Sequence, residues 1–248
     1  MDKVKVIESY FEDDLKKSRI PAKLDYLQSA TGLLLGLFMW GHMVLVSSIL
    51  ISKDFMYQVT KALEGSFLFQ GGNPLIVTIF AGFIFVVFIV HAIMGLRKLP
   101  SNYKQYKVIK EHASYMQHED TKLWFIQAFT GFSMFFLGSV HLFIMMTNSD
   151  KIGPYASADR VWSAWMWPLY ILLLLAVEFH GTIGLYRLCV KWGWFDGNNP
   201  KQTRIRLKKI KKILTWFFLI LGFTTLLAYM KIGYEHADKV GQRYERVA

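Results

Sequence analysis

Four stretches of this chain run without a Lys, Arg, Asp or Glu: residues 26–52, 75–96, 123–149 and 213–230. A fifth, Trp165 to Arg187, reads WMWPLYILLLLAVEFHGTIGLYR and is interrupted only by Glu178 before its closing arginine. About 20 apolar residues rising about 1.5 Å each cross the roughly 30 Å hydrocarbon core of a bilayer. The pattern therefore predicts an all-α membrane protein with five transmembrane helices. Polar segments separate them: an arm over 1–25, loops over 53–74 (with a GGNP turn), 97–122 and 150–164, a basic loop over 187–212 with a DGNNP turn, and a tail over 231–248. The expected organisation is a single integral membrane domain over 1–248, with the helical bundle occupying 26–230.

Composition agrees. Of the residues, 53% are hydrophobic and only 19% charged, less charge than a soluble domain of this length carries. The net charge of +11 would suit nucleic acid, but the chain has no basic recognition helix or aromatic-basic module. Of 29 Lys and Arg, 21 fall in the N-terminal arm, the second-to-third loop and the fourth-to-fifth loop. The positive-inside rule then puts the N-terminus and those loops in the cytoplasm and the C-terminus outside. The N-terminal arm lacks the apolar core of a cleaved secretory leader. One cysteine, Cys189, excludes a disulfide framework, a thiolate zinc site and an iron–sulfur cluster held by this chain alone.

The first four spans each carry one histidine, His42, His91, His141 and His180, and the fifth carries none. A lone intramembrane histidine is as readily a polar contact between helices. Four in four successive spans ask for a ligand. His42 and His141 lie past the middle of their spans on the way out; His91 and His180 lie past the middle on the way in. The set splits into an outer and an inner level, separated by roughly 12–15 Å of helix rise. In a sequential four-helix bundle the first and third helices are diagonal, as are the second and fourth. Each level thus offers two opposed imidazoles, the arrangement of a six-coordinate haem. A zinc or copper site would need three or four ligands at one level. The expectation is a four-helix bundle around two haems, His42 and His141 on the outer iron, His91 and His180 on the inner. No C-x-x-C-H occurs, so these haems are expected to be b-type. Gly95 and Gly184, in the shared pattern H-x-x-x-G-L, with Gly41 and Gly138, are expected to clear room for the porphyrin edges. His112, His118 and His236 fall in polar segments and are expected to be solvated.

Two carboxylates stand out. Glu178 lies two residues from His180, about 200° round the helix, so it faces away from that ligand. Its plain reading is a protonated acid bonded to a neighbouring helix; its functional reading is a proton relay, because burial disfavours the charged form of a carboxyl. Glu64, before Gly65 at the outer end, is either an ordinary loop acid or a base that takes protons from a quinol. Lys191, Arg187 and Arg160 flank the spans where haem propionates would need cations, or where flanking side chains simply snorkel.

The segments KLDYLQSATGLLLGLFMWGHM, HAIMGLRKLPSNYKQY, LWFIQAFTGFSMFFLGSVHLFIMMT and MWPLYILLLLAVEFHGTIGLYRLCVKWGWFDG closely resemble the dihaem cytochrome b subunit of bacterial quinol:fumarate reductases. The resemblance covers about Lys16 to Lys231. It implies a subunit of the bacterial inner membrane, embedded in lipid and joined by a flavoprotein and an iron–sulfur subunit on the cytoplasmic side, in a dimer of heterotrimers. Menaquinol would be oxidised near the outer haem and electrons would pass through the inner haem to fumarate. It also implies that the four histidines are the axial ligands and that Glu64 serves quinol oxidation. Glu178 would carry a compensating proton. Gln28, Ser29, Trp124 and Lys191 would hold the inner propionates, and Arg160 and Tyr170 would lie near the outer haem. The alternatives are a succinate:quinone reductase anchor working in reverse, and a haem-free scaffold or transporter whose histidines join helices.

Overall fold

The computed structural model describes residues 19–116 and 118–245. Most of the polar arm expected over 1–25 therefore lies outside the described residues. Eight α-helices occur among those described, and no strand. They are α1 (Ile20–Val46, continued by a 3-10 turn Ser47–Leu50), α2 (Lys53–Leu63), α3 (Pro74–Leu96), α4 (Tyr103–Met116), α5 (Glu119–Thr147), α6 (Pro154–Val161), α7 (Trp167–Trp192) and α8 (Pro200–Glu235). Five of them, α1, α3, α5, α7 and α8, are long and apolar enough to cross a membrane.

Local chemistry sets where these helices begin. Five of the six prolines stand in the first turn of a helix, where a missing N–H leaves nothing unsatisfied. Side chains cap several starts: Ser52 Oγ accepts from Phe55 N at 2.9 Å, Asn73 Oδ1 from Leu75 N at 3.0 Å, and Asn199 Oδ1 from Gln202 N at 3.1 Å. The charge-free runs mark only the lipid-embedded part of each helix. The peptide ladder continues into the polar segments until a capping residue or a proline stops it. So α1 begins at Ile20, ahead of the run that starts at Tyr26, and α8 absorbs the second half of the basic loop. At 36 residues and about 1.5 Å each, α8 is about 54 Å long, well beyond a bilayer. The segments read as loops also hold α2, α4 and α6.

α1, α3, α5 and α7 form a ring in chain order: α1 packs on α3 and α7, and α5 packs on the same two. α8 lies outside the ring against α7 and the end of α1. Hydroxyl pairs fasten it, Thr215 Oγ1 to Thr182 Oγ1 at 2.9 Å and Ser47 Oγ to Thr225 Oγ1 at 2.8 Å. Large apolar side chains such as Ile79, Phe83, Val86, Phe129 and Ile220 point outward and are more than half exposed. That is the surface a bilayer covers and water would not tolerate at this extent. The two ends differ. One carries Asp25, Arg97, Lys98 and Lys191 and is called the basic end here; at the other, α2 and α6 lie across the mouth of the ring.

Candidate functional site

The ring positions four imidazoles in two opposed pairs. His42 of α1 faces His141 of α5, with ring centroids 6.1 Å apart and planes at 58°. His91 of α3 faces His180 of α7, at 6.3 Å and 90°. A metal–imidazole bond of about 2.0 Å on each side would put two ligand nitrogens about 4 Å apart, and their ring centroids about 6 Å apart. Both separations fit one metal centre between two rings. Among the described residues no group of three or more His, Cys, Asp or Glu converges, so each level offers two protein ligands and leaves a plane open between them.

The close approach of helices at the inner level depends on two glycines. A Cβ on Gly32 of α1 would lie 2.8 Å from His91 Cε1, and one on Gly131 of α5 would lie 2.6 Å from His180 Cε1. The inner rings therefore sit beside residues 32 and 131. His42 and His141 are each ten residues further along their helices, about 15 Å of rise. Both pairs open on one cavity of about 1040 Å³ inside the ring, larger than the roughly 300–1,000 Å³ of a single drug-sized site. His141 Nδ1 is buried there without a hydrogen-bond partner among the described residues, as is Gln28 Oε1.

Gln28, Ser29, Trp124 and Lys191 all line this cavity. At the basic end Lys191 Nζ lies 3.2 Å from Asp25 Oδ2 and 3.5 Å from Ser29 Oγ. Asp25 also takes Arg97 at 2.9 Å and Lys98 at 2.8 Å, so three cations share one carboxylate and surplus positive charge stands at the cavity rim. Arg187 also lines the cavity, apart from the Asp25 cluster, its Nη1 donating to Gln127 Oε1 at 2.6 Å. Arg160 and Tyr170 line the opposite end. The Tyr170 ring stands edge-on to His141 at 5.5 Å, and Arg160 Nη2 donates to Lys151 O at 2.7 Å.

Neither candidate carboxylate lines the cavity. Glu178 is 1% exposed and its Oε1 has no partner among the described residues. It shares a helix face with Thr182, whose hydroxyl donates to Glu178 O at 2.7 Å and accepts from Thr215 of α8, so this is the face turned to α8 and away from the cavity. Glu64 caps the end of α2, is 2% exposed, and pairs with Lys61 Nζ at 2.7 Å. Its neighbours Thr60 and Leu63 are the cavity-lining members of that turn.

Two expectations need correcting. His236 is not solvated: it is buried, its Nδ1 lies 2.9 Å from Asp159 Oδ1, and its ring stacks on Tyr155 at 4.1 Å. Gly41 does not line the cavity and has open space where a Cβ would stand, whereas Gly138 lines it beside Phe88. Gly95 and Gly184 face the side chains of Gln28 and Gln127. The residues missed were Thr31, Gly32, Gln127 and Gly131. The signal that could have found them is a repeat: Q-x-x-T-G followed ten residues later by His occurs at Gln28–His42 and again at Gln127–His141.

Five spanning helices around two facing imidazole pairs define a multi-pass membrane protein. A family model described as succinate dehydrogenase/fumarate reductase transmembrane subunit matches residues 102–222. The chain is 56% identical to the fumarate reductase cytochrome b subunit of Wolinella succinogenes over 235 residues, 94% of this chain and 92% of that one. It is 53% identical to the subunit of the same name from Helicobacter pylori strain J99 over 241 residues, 96% of this chain and 92% of that one. The chain belongs to this family, as a fumarate reductase cytochrome b membrane subunit.

Proposed function

We propose that this chain anchors a fumarate reductase in the bacterial inner membrane and carries electrons from menaquinol to the catalytic subunits. His42 with His141, and His91 with His180, would each hold one b-type haem, and the single observation that carries this is their facing geometry at 6.1 and 6.3 Å. Bound there, the two haems supply one-electron redox chemistry at two depths of the membrane. The chain's own residues do the rest. Gln28, Ser29, Trp124 and Lys191 hold the inner propionates, with Lys98 and Arg97 adding charge at that rim; Arg160 and Tyr170 serve the outer group. Glu64, at the mouth of the ring and steadied by Lys61, takes protons as menaquinol is oxidised to menaquinone, two electrons and two protons. Glu178 holds and passes a proton on a face separate from the metal ligands, so that protons cross with electrons.

The excess of Lys and Arg supports a topology with the basic end and the N-terminus in the cytoplasm and the C-terminus in the periplasm. The iron–sulfur subunit docks at the basic end and the flavoprotein subunit beyond it, with two heterotrimers pairing in the membrane. Fumarate is reduced on the flavoprotein, because this chain has no flavin or dicarboxylate motif. Reduced-minus-oxidised spectra and haem extraction of the purified complex test the scheme. The expected result is a b-type band and two haems per chain. His42→Ala and His141→Ala should remove the same haem, and His91→Ala the other. One haem per chain, or none, overturns it.

A further inference from the structure

The repeat that exposed Gly32 and Gly131 extends to the whole ring. Gln28, Thr31, Gly32 and His42 on α1 recur as Gln127, Thr130, Gly131 and His141 on α5, and His91 and Gly95 on α3 recur as His180 and Gly184 on α7. Contacts repeat with them: each glycine of the T-G step meets the imidazole of the following span, and each glutamine meets that span's glycine. The helix pairs α1/α3 and α5/α7 are two copies of one unit, facing across the ring.

The copies agree in what they do to the inner rings. His180 Nδ1 lies 2.9 Å from Gln127 O, and a carbonyl only accepts, so Nδ1 carries the proton and Nε2 keeps its lone pair. Thr130 leans on the same carbonyl at 3.2 Å while donating to Ile126 O at 2.7 Å. On the other copy, His91 Nδ1 lies 3.1 Å from Thr31 Oγ1. The Thr31 hydroxyl spends its own proton on Leu27 O at 2.8 Å, so its lone pair is what the imidazole meets. Both inner rings thus have Nδ1–H engaged by the neighbouring helix. The outer level differs, since His141 Nδ1 has no partner among the described residues.

We propose that Thr31 is a positioning residue for the inner site. It takes the His91 Nδ1–H, fixes the tautomer and ring plane that turn Nε2 toward His180, and makes the imidazole a stronger electron donor; the Gln127 carbonyl does the same for His180. A ligand held this way favours the oxidised over the reduced metal, so removing the contact raises the reduction potential. This rests on the reading of His91 and His180 as haem ligands.

The test uses the intact complex with Thr31→Val, which removes the hydroxyl, and Thr31→Ser, which keeps it. Haem per chain is measured by extraction, midpoint potentials by redox titration, and the ligand field by the low-spin ferric EPR signal. The inner haem is identified as the one lost in His91→Ala. Thr31→Val is expected to retain two haems, raise the inner midpoint, shift the inner EPR signal and leave the outer haem unchanged, with Thr31→Ser close to the parent. Loss of the inner haem in Thr31→Val, restored by Thr31→Ser, supports the same role. Two haems with unchanged potentials and spectra overturn it, as does a change that Thr31→Ser fails to restore. Fewer than two haems in the unsubstituted complex refutes the ligand assignment, and this inference with it.

Discussion

A methyl at Gly131 would stand 2.6 Å from His180 Cε1, whereas carbon atoms rest at about 3.5–4.0 Å. The contact is with a ring already tethered through Nδ1 to Gln127 O, so the imidazole cannot simply swing aside. Gly131→Ala is therefore expected to displace His180 and cost the chain its inner haem while the outer one stays, measured as haem per chain falling from two to one. Full occupancy with an unchanged spectrum would show that the helices can part at little cost. The same comparison explains what was legible in the residues. The four histidines announced themselves as a set, one in each of four successive spans, whereas a lone one is as readily a polar contact between helices. Gly41 drew notice by standing next to His42 in the chain, yet adjacent residues point to different sides of a helix, and only Gly138, one turn from His141, lines the cavity. The glycines that meet the inner rings sit on other helices, and only the repeated Q-x-x-T-G spacing hints at them.

The spans were legible from hydropathy because lipid demands an unbroken apolar helix. The short helices α2, α4 and α6 were not, since their sequences read as polar connections; α2 and α6 gain order by lying across the ring's mouth, while α4 buries no residue. His236 shows the consequence. Composition put it in a solvated tail, but α8 runs on to Glu235 and delivers His236 against α6. There Asp159 receives His236 on one oxygen and the Gly241 N–H on the other at 3.0 Å. The tail is thereby clasped over α6, the helix that carries Arg160. Replacing His236 with Leu leaves a buried carboxylate one partner short, at a cost of roughly 1–3 kcal/mol. The expected outcome is a lower thermal midpoint for the complex in detergent, with His236→Gln, which still donates, losing less. Equal midpoints for the Leu variant and the parent would show the clasp to be incidental.

Across the whole molecule, the proposed electron and proton routes occupy different surfaces of one helix. α7 turns His180 into the cavity and Glu178 toward α8, so the chain has room for an electron route inside the ring and a proton route outside it. The proposed direction makes the second route matter. Electrons from menaquinol at the outer end move inward against a potential that is negative inside, at about 2.3 kcal/mol per charge for each 100 mV. A proton travelling the same way cancels that work. Glu178→Gln keeps the shape of the side chain and removes its exchangeable proton. In proteoliposomes its quinol-driven turnover should fall while both haems remain, because uncompensated charge builds an opposing potential. A protonophore, which dissipates that potential, should then restore much of the rate. If Glu178 only packs α7 against α8, the loss will be the same with and without the protonophore. If turnover is untouched in both, the carboxyl carries no proton and the haem scheme stands without it.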